Sequence, residues 1–268
     1  MLLREVEYAR PASVADAVRL LAERDGARAL AGGQTLINVM KARAASPDVL
    51  VDLNGLPELK GIELGVDGTL ELGAMTTCTD VIESAEARAR PILGEVCAQI
   101  ADVQVRNRGT IGGNVCSNDP TNHLPPLMVA LGATMTIRGA DREREVPADE
   151  FFLGVYLTAV GPGELLTKVT VPPGKADGFA SLTIGRDGTC IVNAAASLDG
   201  GSPKVAIGCV DAVPVLVRPE APEDEAVRSA VRAASLQPPD DVHASADYRR
   251  HLAEVLAVRA VQAARERA

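Results

Sequence analysis

Three glycines within five positions interrupt the middle of this chain, in the segment Arg108-Gly109-Thr110-Ile111-Gly112-Gly113-Asn114. It lies between two stretches of helical periodicity and reads as a loop whose backbone can approach a bulky anion, with Thr110 and Asn114 as polar donors. A flexible connection is the plainer alternative. A second glycine pair sits in Ala31-Gly32-Gly33-Gln34-Thr35, after a predicted strand and before the mixed segment Leu36 to Met40. There successive N–H groups and a helix N-terminus can cradle phosphate oxygens, with Gln34 and Thr35 adding side-chain donors. A tight structural turn would explain that pair equally well. Together the two loops fit a pyrophosphate gripped from both sides. Neither contains the Gly-x-Gly-x-x-Gly of a Rossmann turn, and the Gly174-Lys175 pair lacks the upstream glycine of a P-loop. A dinucleotide would therefore have to be held by another fold.

Periodicity supplies the frame. Ser13 with Asp16 three residues on predicts a helix start, followed by Val14, Ala17, Val18, Leu21 and Ala22 at helical spacing and by Gly26 as its end. Ala27 to Ala31 and Val49 to Leu53 read as strands. Asp67-Gly68 between Ile62 to Val66 and Thr69 to Ala74 is a hairpin signal. Thr79 is expected to cap a short helix through Ala85, and Pro91 to open another with Leu93, Val96, Cys97 and Ile100 on one face. An apolar helix is expected over Leu127 to Leu131, and strands over Thr134 to Arg138 and Leu165 to Val171. Beyond Pro172-Pro173-Gly174, three strands are expected: Phe179 to Ile184, Cys190 to Leu198 and Lys204 to Val210. Two helices, near Glu223 to Ser235 and Asp247 to Arg267, should close the chain, the second with Leu252, Val255, Leu256 and Ala260 on one stripe. The expectation is an α+β protein in three parts, residues 1–54, 55–172 and 173–268, the last built on a three-stranded antiparallel sheet.

Composition narrows the function. Aromatics are 2% of the 268 residues against 47% hydrophobic, so the core must be packed with Ala, Val, Leu and Ile. A net charge of -9 argues against nucleic acid, which selects basic faces and stacking aromatics. No stretch approaches the roughly 18 apolar residues of a membrane span, and Met1 to Arg10 has no apolar signal core. A cytoplasmic protein is expected. The five cysteines, Cys78, Cys97, Cys116, Cys190 and Cys209, include no Cys-x-x-Cys pair, so buried thiols are expected rather than a metal or iron–sulfur site.

Three segments carry a resemblance: Ala31 to Thr35, Gly73-Ala74-Met75-Thr76-Thr77, and Gln104-Val105-Arg106-Asn107 running on through Asn114. In order and spacing they resemble the FAD-binding medium subunits of molybdenum hydroxylases, of the carbon monoxide dehydrogenase and xanthine dehydrogenase type. Asp119-Pro120 to Leu131 and Lys204 to Pro214 fit as well, so the resemblance covers essentially the whole chain. It implies a two-part FAD-binding domain of the vanillyl-alcohol-oxidase (PCMH) type, then a smaller α+β domain. It implies FAD contacts at Ala31, Gly32, Gly33, Gln34, Thr35, Leu36, Ala74, Thr77, Thr110, Ile111, Gly112, Gly113, Asn114, Asp119, His123 and Asp187. It also implies a small subunit with [2Fe–2S] clusters, a large subunit with the molybdenum cofactor, and paired heterotrimers. Electrons would cross the clusters to the FAD and leave for an acceptor such as a quinone or NAD+, with no residue here acting as acid or base on the organic substrate.

Two departures stand out. Relatives usually carry Asp where His123 stands, and many carry a flavin-face Tyr where Thr189 or Cys190 stands. His123 could bond toward the flavin or be a satisfied loop histidine. Arg106, Arg108 and Asp187 are charged groups near the expected site, with surface or structural ion pairing as the alternative. A self-contained flavoenzyme of the same superfamily, or an interaction subunit without flavin, remain the rival functions; the intact glycine loops argue against the second.

Overall fold

A computed structural model describes residues 3–185, 188–199 and 201–268. The chain opens with β1 (Glu7–Ala9), α1 (Val14–Glu23), β2 (Ala27–Leu30), α2 (Leu36–Lys41) and β3 (Val49–Asp52). The strands form a parallel sheet in the order β1-β3-β2. Ser13 Oγ accepts from Asp16 N at 3.1 Å, capping α1, which buries Val14, Ala17 and Val18 against β3. The first strand was not anticipated, because three residues with both leading positions exposed carry no readable period.

The middle of the chain builds a five-stranded antiparallel sheet. Its order is β4 (Ile62–Leu64), β5 (Leu70–Gly73), β10 (Leu165–Val171), β6 (Thr134–Arg138) and β7 (Glu143–Pro147). Gly68, at φ +85, makes the turn between β4 and β5. Helices α3 (Cys78–Glu83), α4 (Ile92–Cys97), α5 (Val103–Arg106), α6 (Ile111–Ser117), α7 (Leu124–Leu131) and α8 (Ala148–Phe151) connect and cover it, and a small hairpin of β8 (Phe152–Gly154) and β9 (Leu157–Thr158) follows. Helix α3 is capped by Thr77, not by Thr79 as expected. Thr77 Oγ1 accepts from Asp80 N at 3.1 Å and Asp80 Oδ2 accepts from Thr77 N at 2.8 Å, a reciprocal capping box that fixes the start two residues earlier. All eight residues of α7 are buried, which its unbroken apolar sequence requires.

The last part is an antiparallel sheet in the order β11 (Asp177–Thr183), β12 (Cys190–Ser197), β13 (Lys204–Gly208) and β14 (Val215–Val217). It has four strands where three were expected; Val215-Leu216-Val217 is too short, directly after Pro214, to announce itself as a strand. Every residue of β12 is buried, with α7 on one face and α10 (Ala246–Arg265) on the other. Helix α9 (Asp224–Ala233) packs beside α10. Leu252, Leu256 and Ala260 face inward as expected, while Val255 is only half-buried. Buried Arg90 ties this sheet to the middle one. Its Nε and Nη2 donate to Asp177 Oδ2 and Oδ1 at 2.7 and 2.8 Å, and its Nη1 to the Pro172 carbonyl. Among the described residues, no helix is long and apolar enough to cross a membrane.

Candidate functional site

The two glycine segments meet. A Cβ on Gly32 would lie 2.0 Å from the Arg108 carbonyl oxygen and 3.0 Å from Gly109 Cα, so only glycine permits this approach. Gly33, at φ +73, turns the chain into α2. The Ala31 carbonyl is held by Asn54 Nδ2 at 3.1 Å. Asn54 in turn is held by Asp52, whose other oxygen accepts from the Tyr8 hydroxyl. Burial works to raise the Asp52 pKa, but the bonds from Tyr8 and Asn54, with Arg10 nearby, outweigh it and keep the carboxyl below its ordinary value. This Tyr8–Asp52–Asn54 brace under the first loop was not foreseen. Its members are 44 and two residues apart, and only the parallel pairing of β1 with β3 unites them.

The second glycine segment is only in part the loop the sequence suggested. Gly112 and Gly113 are residues of α6, and Thr110 is its N-cap, with Thr110 Oγ1 accepting from Gly113 N at 3.0 Å. The backbone of residues 74–78 is laced onto it. Ile111 N donates to Thr76 O at 2.9 Å, Gly112 N to Ala74 O at 2.8 Å and Cys78 N to Gly109 O at 3.0 Å, with Thr77 and Thr110 bridged. A Cβ on Gly112 would sit 2.6 Å from the Ala74 carbonyl oxygen. Ala74, Thr77, Thr110, Ile111, Gly112, Gly113 and Asn114 are thus one packed unit with Gly32 against its edge.

The donors divide unequally between the two loops. At the start of α6 the N–H groups of Ile111, Gly112, Gly113 and Asn114 are all used internally. At the first loop, no hydrogen bond among the described residues engages the N–H groups of Gly32, Gly33, Gln34, Thr35 or Leu36. Half-buried backbone donors without partners are costly unless something accepts from them. One Gln34 amide hydrogen is spent on Gly32 O at 3.1 Å, while the Thr35 hydroxyl caps nothing. A hollow of about 270 Å³ adjoins these groups, with Gly33, Gln34, Asn38, Lys41 and Arg108 in its wall. Close glycines, unused N–H groups and two cations make a donor set suited to a pyrophosphate. The volume accommodates part of a dinucleotide, not all of it.

The remaining expected residues lie beyond α6. Asp119 Oδ1 accepts from Thr121 N and Oγ1 at 2.9 and 2.8 Å, and its Oδ2 from the Tyr156 hydroxyl at 3.0 Å. His123 is buried. Its Nδ1 lies 3.1 Å from Asn193 Nδ2 and its ring 5.3 Å from that of Phe179, so its partners belong to β11 and β12 rather than to either glycine loop. The connection to α6 runs through its neighbour, since Asn122 Nδ2 donates to Asn114 O at 3.0 Å. Arg106 Nη1 donates to Ile100 O and Ala101 O at 2.9 and 2.7 Å, a structural role. Thr189 is exposed and Cys190 buried. Asp187 lies outside the described residues.

The family described as the FAD binding domain in molybdopterin dehydrogenase matches residues 4–174. The carbon monoxide dehydrogenase medium chain of Afipia carboxidovorans is 38% identical, over 100% of this chain and 99% of the relative. The xanthine dehydrogenase FAD-binding subunit of Escherichia coli O157:H7 is 34% identical over 62% of this chain and 57% of its own length. Among solved structures, reconstituted CO dehydrogenase from Oligotropha carboxidovorans superposes with a TM-score of 0.92 at 36% identity, covering 100% of both chains. Quinoline 2-oxidoreductase from Pseudomonas putida 86 gives 0.90 at 31% identity, covering 99% of each. The α+β fold, the match across the first two sheets and the full-length relatives agree: the chain belongs to the FAD-binding medium subunits of the molybdenum hydroxylases, and is an oxidoreductase flavoprotein subunit.

Proposed function

We propose that this chain holds one FAD without a covalent bond and relays electrons between partner clusters and an external acceptor. The observation that carries the reading is the row of unused N–H groups from Gly32 to Leu36 beside the Gly32–Arg108 contact. These groups, with Ala31 fixed by Asn54, would hold the pyrophosphate, and Lys41 and Arg108 would offset its charge. Thr110 to Asn114, with Ala74 and Thr77 packed on them, form the opposing wall. Their backbone donors are spent on that packing, so their contribution is shape and side-chain polarity. Asp119, and His123 acting through Asn122 and Asn114, border the far end.

Residues 1–54 and 55–172 then serve as the two halves of the cofactor domain, and 173–268 as the domain that closes over it. When bound, FAD supplies the ability to take electrons singly and release them in pairs. The chain's own residues bind the cofactor, orient it and exclude water; none is assigned proton transfer on an organic substrate. The partners proposed are a small subunit with [2Fe–2S] clusters and a large subunit with the molybdenum cofactor, two heterotrimers pairing. Co-expression with such chains, followed by size-exclusion chromatography with iron and molybdenum analysis, tests this. Co-elution, and no hydroxylase activity of the isolated chain, is the expected result. A chain that never co-elutes with metal yet oxidises a substrate alone would overturn the relay in favour of a self-contained flavoenzyme.

A further inference from the structure

Behind His123 lies a group of buried side chains that the cofactor reading does not use. Cys190 opens β12 and Cys209 follows β13; both are buried. Asn193 Nδ2 lies 3.5 Å from Cys190 Sγ, 3.8 Å from Cys209 Sγ and 3.1 Å from His123 Nδ1. One amide nitrogen, with two hydrogens, thus faces these three side chains and the Asn122 carbonyl at 3.2 Å, while Cys190 Sγ also lies 3.7 Å from Leu182 O and Asn193 Oδ1 is buried without a partner among the described residues.

Two irregularities of the backbone bring both sulfurs onto the Asn193 amide. Along β12, Val192, Ala194 and Ala196 pack into the core beneath α10, while Asn193 and Ala195 face α7. Unbroken alternation would put Cys190 with Val192. Instead Thr183 pairs with Cys190 and Leu182 with Val192, so Ile191 is an extra residue and Cys190 turns to the Asn193 side. Cys209 is a non-glycine residue at φ +66. Buried Arg249 holds both places, its Nη1 donating to Ile191 O and, at 3.5 Å, to Cys209 O. A bulge and a left-handed residue pinned by one guanidinium are a constructed arrangement, and such strain gathers where it serves a purpose.

We propose that Cys190 and Cys209 form an oxidisable dithiol, with Cys190 as the attacking sulfur and Cys209 as the resolving one, and that hydroperoxides close it to a disulfide. The protonation asymmetry supports these roles. The hydrogen bond from Cys209, together with His123 and Asn193 and against the opposing effect of burial, brings the Cys190 thiol down to about 6. Cys209, the donor in that bond and itself buried, is held well above the ordinary thiol range. A small hollow lined by Asp119, Pro126, Asp211 and Cys209 adjoins the Cys209 end of the pair.

The Cys190 thiolate attacks one oxygen of hydrogen peroxide. The O–O bond breaks, the other oxygen leaves and takes up a proton as water, and Cys190 becomes a sulfenic acid. Cys209 then attacks that sulfur, forming the S–S bond and releasing the hydroxyl with the Cys209 proton as a second water. Two thiols are oxidised and one peroxide is reduced. The step needs no flavin, so it stands or falls apart from the cofactor reading.

The test is peptide mapping of the purified full-length chain after graded hydrogen peroxide, with free thiols blocked and mass spectrometry of the digest. The expected product is a peptide pair bridged between Cys190 and Cys209 and separated by dithiothreitol. Cys97, fully buried and held well above the ordinary thiol range by its bond to Cys78 and by burial, provides the slow reference. At pH 7, alkylation of Cys190 in the untreated chain should exceed that of the equally buried Cys97 by at least about tenfold, since at matched access the thiolate fraction sets the rate. In Cys209→Ser the sulfenic acid should persist and take up dimedone at Cys190. No bridged peptide under excess peroxide, a bridge between Cys78 and Cys97 in its place, or equal alkylation of Cys190 and Cys97 would overturn the proposal. The first and last of these are read on the unmutated chain and do not depend on a variant folding.

Discussion

Replacing Gly32 by alanine adds one carbon and should cost most of the FAD affinity. The new Cβ would lie 2.0 Å from the Arg108 carbonyl oxygen and 2.7 Å from its carbon, atoms of a backbone that cannot rotate away. Ordinary van der Waals contact is about 3.5 Å, so the loops must part by more than an ångström. The N–H groups from Gly32 to Leu36 then lose their alignment with the wall formed by residues 110–114. Losing one or two charge-assisted hydrogen bonds to a phosphate, at about 1.5 to 3 kcal/mol each, weakens binding by about 3 kcal/mol, or roughly a hundredfold in Kd. Titration of the apoprotein with FAD, followed by flavin fluorescence quenching, reads the effect. Gly55→Ala is the control, because a Cβ there meets nothing within 4 Å. Gly32→Ala with circular dichroism and FAD affinity both unchanged from the parent would refute the reasoning.

Gly113→Val should also release the flavin while leaving much of the fold, since a Cβ there meets Thr110 Oγ1 at 2.8 Å and the larger side chain must disturb the cap of α6; full flavin content after gel filtration would count against it. Arg90→Ala strands the buried Asp177 carboxylate. It should destabilise the fold by about 3 to 5 kcal/mol, seen as a fall of roughly 10 °C in Tm. Asp241 is held at about 2, below 3.8, by the His243 N–H first and by Arg249. A depressed carboxylate pKa stabilises the fold above the unfolded value and ceases to as pH falls through the folded one. Asp241→Asn should therefore be less stable than the parent at pH 7, and the gap should close between pH 3.8 and about 2 in acid-unfolding curves.

Elements with a long, regular period were legible in the sequence. The α1 stripe, the Asp67-Gly68 hairpin, β6 and β10 came directly from alternation and capping. The short strands β1 and β14 were not, because three residues do not complete a pattern. Gly112 and Gly113 suggested a loop through low helix propensity, yet the Thr110 cap and the close packing of Ala74 favour a helix there. The glycine segments stood out in the sequence as a candidate site; the partition of their donors did not, since it depends on residues 74–78 lying across α6. The Tyr8–Asp52–Asn54 brace and the Cys190–Asn193–Cys209 group were invisible for the same reason, being assembled by strand pairing and by a one-residue bulge.

The most direct test of the account is a crystal structure of the flavin-loaded chain. The expected result is an intact FAD, not covalently attached, with pyrophosphate oxygens within hydrogen-bond distance of the N–H groups between Gly32 and Leu36, and with residues 110–114 as the facing wall. A bound FMN, a covalent flavin, or a pyrophosphate on donors elsewhere with the Gly32–Leu36 groups facing only solvent would contradict it.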